Sequence, residues 1–179
     1  MNELVTLLLI AIGLSMDAFS LALGYGTLNL KNQDNIRISV FVGLFHFFMP
    51  LIGLLIGNYI VNTLRISPKL IMGTILLFIS LEMFIELIKP EKKNFSTTLI
   101  GLLLFSLSVS LDSFSTGIGL NAITDKYFLS SIIFCIISAS ITYIGLVLGK
   151  YSTKYLGKYA KIIGIILLTA IAIVNLCQI

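Results

Sequence analysis

The chain has 179 residues, 58% of them hydrophobic and 11% charged, with a formal net charge of +4. Soluble domains carry about a quarter charged residues, so the composition excludes an ordinary water-soluble fold and points to a bilayer. The positive excess sits between the apolar runs, where it reports topology and gives no support to nucleic-acid binding.

A helical span needs roughly 20 apolar residues. Six such runs occur, at about Leu4–Gly26, Ile38–Val61, Leu70–Ile88, Leu99–Ile123, Leu129–Gly149 and Ile162–Cys177. The first opens MNELVTLLLI, with no Lys or Arg ahead of it and no small-residue cleavage pattern behind it. It reads as a span and not as a removable signal peptide. Within it, SMDAFSLALG (Ser15–Gly24) sets Asp17 among apolar and small residues. The second span holds the only histidine, His46, four residues before Pro50. The third carries Glu82 and Glu86 toward its end, one helical turn apart. The fourth contains SLDSFSTGIG (Ser110–Gly119) and with it Asp112. Cys135 and Cys177 lie in apolar spans, 42 residues apart, and read as small packing residues and not as a disulfide.

Nine basic residues, Lys31, Arg37, Lys89, Lys92, Lys93, Lys150, Lys154, Lys158 and Lys161, follow spans 1, 3 and 5, against three, Arg65, Lys69 and Lys126, on the other side. The excess marks the first set as cytoplasmic and places both termini outside. The connections are short, so residues 1–179 are expected to form one membrane domain, with the lipid bilayer as its solvent.

The chain also repeats. Asp17 aligns with Asp112, Phe19 with Phe114, Ser20 with Ser115 and Gly24 with Gly119. IGLLIGNY (Ile52–Tyr59) then resembles IGLVLGKY (Ile144–Tyr151), and MGTILL (Met72–Leu77) resembles IGIILL (Ile163–Leu168). Each half, 1–90 and 96–179, has three spans, so the second must cross the membrane upside down relative to the first. The expected fold is all-α, with six transmembrane helices in two inverted three-helix repeats, the architecture in which transporters place substrate near the midplane.

Both aspartates fall about 20 Å from their span starts, near the middle of a hydrocarbon core about 30 Å thick. An ionised carboxylate there costs about 2.5–3.5 kcal/mol on the insertion scale. All twelve Lys and Arg lie in connections or at helix ends by this reading, which leaves protonation or an external cation as remedies. Helical spacing lines Asp17 with Gly13, Ser20 and Gly24, and Asp112 with Ser108, Ser115, Thr116 and Gly119. Two such stripes in opposition make an oxygen-lined cavity suited to a hard or borderline divalent cation, with Met16 as an optional soft donor. Glu82 and Glu86 form an acidic vestibule that would concentrate cations. His46 is a candidate ligand or proton carrier, since ionisable groups within spans are rare.

S-M-D-A-F, S-L-D-S-F, M-P-L-I-G-x-x-x-G (Met49–Gly57) and G-K-x-A (Gly157–Ala160) followed by Gly164 resemble the bacterial MntP-type manganese efflux pumps, over essentially the whole chain. The resemblance implies export of Mn²⁺ across the cytoplasmic membrane, with Asp17 and Asp112 handling the metal. Mn²⁺ is then transported substrate, and no cofactor is expected. The chain departs from the family at His46, often Glu or Gln there, and at Lys161, where an acidic residue commonly stands. No H-E-x-x-H, G-x-S-x-G or P-loop pattern occurs, so neither an enzyme nor an ATP-driven pump is expected, and H⁺ is the candidate coupling ion. The rival readings are an exporter of a small organic cation or amino acid, and a non-transporting membrane protein of the sporulation-associated type.

Overall fold

The computed structural model describes residues 3–28, 30–88, 99–151 and 154–177. Six helices occupy them: α1 (Glu3–Gly26), α2 (Asn32–Leu64), α3 (Pro68–Ile88), α4 (Leu99–Ile118), α5 (Tyr127–Gly149) and α6 (Lys154–Leu176). All six are long and apolar enough to cross a membrane, and no strand occurs among the described residues. The junction of the two repeats, residues 89–98, lies outside the described residues.

Helix ends differ from the apolar runs in three places, each for a local reason. The fourth run reaches Ile123, but α4 stops at Ile118 and a 3-10 turn follows at Leu120–Ala122. Gly119 ends α4 where the chain presses on the backbone of Met72, 2.6 Å from where a Cβ would stand. At the other two places the helix outruns its apolar stretch. α2 begins at Asn32, so Asp34 and Arg37 lie in its first turns, paired at 3.9 Å. α6 begins at Lys154, eight residues before the apolar run at Ile162. Lysine is a good helix former, so loss of hydropathy does not mean loss of helix. Lys161 is therefore inside a span. Counting only the basic residues outside the six spans leaves six (Lys31, Lys89, Lys92, Lys93, Lys150 and Lys154) against two (Arg65 and Lys126), and the bias keeps its direction.

Packing follows the repeat. Gly53 and Gly57 of α2 lie against the backbone carbonyls of Phe114 and Ile118 of α4. Gly145 and Gly149 of α5 lie against those of Phe19 and Leu23 of α1, the residues that align with Phe114 and Ile118. Glycine is required at these crossings because a side chain would collide with another helix's backbone; this is the small-residue packing typical of membrane helices. Gly117 likewise admits Pro50, whose Cα would lie 2.6 Å from an added Cβ. In both Gly-x-x-x-Gly pairs the numbering rises together, so α1 runs parallel to α5 and α2 to α4. Gly43 meets Cys135 and Ala139, and Asn32 takes a 3.0 Å hydrogen bond from the Tyr143 hydroxyl, so α2 and α5 are antiparallel. It follows that α1 and α4, which carry the two aspartates, run in opposite directions, as an inverted duplication requires.

The symmetry fails at one interface. α6 packs broadly on α1, whereas the equivalent pair, α3 and α4, barely touches. α3 leans instead on α6, tied by a 2.6 Å hydrogen bond between the Ser80 and Thr169 hydroxyls. Cys135 and Cys177 are both free thiols.

Gly57→Ala and Gly149→Ala should each lower stability by about 1–3 kcal/mol through overpacking against backbone. Gly157→Ala should cost less, because its nearest neighbour is the Ser20 hydroxyl at 3.1 Å, a side chain that can turn away. Unfolding of the three variants in detergent micelles measures the order.

Candidate functional site

Two apolar clusters divide the interior. One joins Leu7, Ile10, Leu14, Met72, Leu76, Phe134 and Leu168. The other joins Ala18, Ala22, Tyr25, Val42, Phe105, Val109 and Leu146. Along α1 the first ends at Leu14 and the second begins at Ala18, so Asp17 sits at the junction. Along α4 and the 3-10 turn that follows it, the junction falls between Val109 and Leu120, which brackets Asp112. His46 on α2 lies between Val42 of one cluster and Leu54 of the other, and Thr142 on α5 between Phe134 and Leu146. A polar layer thus crosses the bundle with an apolar core on either side.

The layer holds a basic group that the apolar runs hide. Lys161 Nζ lies 3.2 Å from Asp17 Oδ1, with side-chain exposures of 10% and 18%. The contact is an ion pair and not a well-aligned hydrogen bond. Asp17 therefore has a partner within the spans, which corrects the expectation that none exists. The pair is built by small residues: Gly157 faces Ser20, and Gly164 faces the Gly13 carbonyl and Met16, so α6 comes close enough to α1 for Lys161 to reach the carboxylate. That spacing was the available signal, since a lysine flanked at i−4 and i+3 by glycines lies on a face made for another helix. Met16 packs on Gly164 at the same crossing.

Asp112 is compensated differently. Its Oδ1 accepts the Ser113 backbone N–H at 2.6 Å. Asp17 and Asp112 stand on the antiparallel helices α1 and α4, and Glu82 stands on α3. Glu82 is exposed on α3, six residues before that helix ends. The Glu86 side chain lies outside the described residues.

His46 is 1% exposed, and its Nδ1 donates 2.9 Å to the Val42 carbonyl. A carbonyl only accepts, so in the neutral ring Nε2 carries the lone pair, and it has no hydrogen-bond partner among the described residues. Pro50, with no N–H, also leaves the His46 carbonyl without its usual helical donor. Thr116 and Ser113 are buried with hydroxyls that likewise lack partners among the described residues. Ser115 turns its hydroxyl back to the Leu111 carbonyl at 3.1 Å. Gly119 is taken up by the Met72 contact, and the Gly24 carbonyl accepts the Thr27 hydroxyl at 2.7 Å. Among the described residues, no three His, Cys, Asp or Glu side chains converge to hold a metal. Asp17, Asp112 and His46 lie between the two clusters and Glu82 is exposed on α3, and the four form no closed coordination shell.

Six apolar helices around a layer of ionisable side chains define a multi-pass membrane protein that holds charge in its interior. A family model described as "Putative manganese efflux pump" (MntP) matches residues 29–176. A Bacillus pumilus protein named "Putative manganese efflux pump MntP" is 40% identical over 173 residues, 96% of this chain and 94% of its own. Proteins of the same name from Geobacillus thermodenitrificans and Shouchella clausii are 35% and 36% identical, covering 91% and 92% of this chain and 90% and 92% of theirs. The chain belongs to the MntP family. No solved structure matches it.

Asp17→Asn or Lys161→Met alone strands a charge in the interior and should cost about 3–5 kcal/mol, while the double variant should regain much of that loss. Reversible unfolding in micelles gives the coupling energy; additive losses would mean that the pair contributes no net stability.

Proposed function

We propose that the chain exports Mn²⁺ from the cytoplasm across the bacterial plasma membrane as a secondary transporter, with both termini outside. The supporting observation is that the duplicated aspartates, Asp17 and Asp112, stand on antiparallel helices, each between residues of the two apolar clusters. Family membership supplies the metal. Carboxylates and hydroxyls are the oxygen donors that suit Mn²⁺. Mn²⁺ approaches through Glu82 and Glu86, loses part of its hydration shell, and is held between Asp17 and Asp112. Ser20, Ser115 and Thr116 are the neighbouring oxygen-bearing side chains. The apolar cores on either side act as barriers that must open in turn, by rocking of one repeat against the other. H⁺ is the proposed coupling ion, since a proton can occupy a carboxylate that the metal leaves.

The Lys161–Asp17 contact favours one second reading, because an ammonium already fits that carboxylate. Export of an organic ammonium compound or amino acid would use the same group.

Purified protein in liposomes containing a Mn²⁺-sensitive dye separates these readings. Wild-type flux that falls to background in Asp112→Asn is the expected result, and acceleration by an imposed pH gradient would support H⁺ coupling. A correctly inserted wild type with no Mn²⁺ flux, but with amine-driven counterflow, would replace the metal reading by the organic one.

A further inference from the structure

The ion pair fixes more than the fold. Lys161 Nζ stands 3.2 Å from the same oxygen that a cation between the two aspartates would use. Ammonium and metal cannot both occupy that position. The lysine also has a second place to go. It lies seven residues into α6, about 10 Å along the axis from the helix's basic end. A lysine stem at that depth can turn its ammonium toward the headgroups. The α1–α6 interface that seats it is the one whose repeat-equivalent, α3–α4, stands apart in this structure. The same fold therefore contains both a packed and a separated version of this helix pair.

We propose that Lys161 is a tethered counter-cation that competes with the transported divalent ion for Asp17, leaving when the metal binds and returning to displace it. This rests on the reading of Asp17 as a metal-handling residue and adds the competitor that sets its affinity. The lysine lowers apparent affinity by the fraction of time it holds Asp17. It also speeds release, because the carboxylate is never left bare in the bilayer. A monovalent ion gains nothing by replacing an ammonium of equal charge, so the competition favours divalent cargo.

The test is Mn²⁺ binding by calorimetry and Mn²⁺ flux in liposomes for the full chain, Lys161→Gln and Lys161→Arg. If the competent state is a minor one, Lys161→Gln should bind Mn²⁺ roughly ten-fold tighter or more. Its flux at saturating Mn²⁺ should fall, which splits KM from kcat. Lys161→Arg, whose guanidinium grips a carboxylate with two bonds, should bind Mn²⁺ more weakly than wild type. Should Lys161→Gln fail to fold, Lys161→Arg decides alone, and unchanged or tighter binding there overturns the proposal. Wild-type binding that Lys161→Gln leaves unchanged or weakens also overturns it while keeping Asp17 as a metal site. A folded wild type that neither binds nor transports Mn²⁺ removes the metal reading itself, and the competition with it.

Discussion

A carboxylate at mid-bilayer depth is the constraint on which the rest of this structure depends. Water cannot solvate it, and lipid does not, so the protein must surround it with something better. The answer here is a polar junction on α1, α2, α4 and α5 that falls between two apolar clusters. Withdrawal from water strengthens the charge interactions there, because the effective dielectric falls. Asp17 is met by an ammonium at 3.2 Å, and Asp112 by a backbone N–H at 2.6 Å. The first arrangement requires α6 to approach α1 closely, and Gly157 and Gly164 supply that approach.

Duplication explains the two aspartates, but the halves have diverged in how they are completed. The Gly-x-x-x-Gly crossings match across the repeat, position for position. Lys161 has no basic counterpart, since its aligned residue in α3 is Leu70, and Glu82 aligns with the apolar Ile173 of α6. The third helix of each half thus carries the charge that distinguishes it. On α6 Lys161 reaches Asp17 and the helix packs closely on α1; α3 carries an acid and no such cation, and it stands apart from α4. An exporter needs two such unequal arrangements, because alternating access requires that one side close while the other opens.

The fold was largely legible in the sequence, and the site only in part. Six apolar runs, the duplicated motifs and the odd number of spans per half gave the helix count and the antiparallel relation of α1 and α4. Asp17 and Asp112 stood out because a charge in an apolar run has no packing explanation. Lys161 stood out only as a departure from the family pattern, because it stands one residue before the run that begins at Ile162, where hydropathy cannot tell helix from connection. His46 was visible as an oddity, yet its tie to Val42 and the donor missing at Pro50 follow from helix geometry once α2 is continuous. Gly119 matched the duplicated stripe in sequence, while its contact is with Met72 of α3, which no alignment of α1 with α4 contains.

By itself, the sequence determined that this chain lives in a bilayer, crosses it six times, and carries one buried acid in each half. Those properties depend on composition and on spacing along a single helix, both of which are local. Only the tertiary structure decided which helix supplies the counter-charge, which interface closes, and which candidate donors meet. Those outcomes depend on distances between residues as far apart as Asp17 and Lys161, set by how glycine faces let helices approach. Charge pairing in a membrane is decided across helices, and one-dimensional periodicity carries no information about the distance between them.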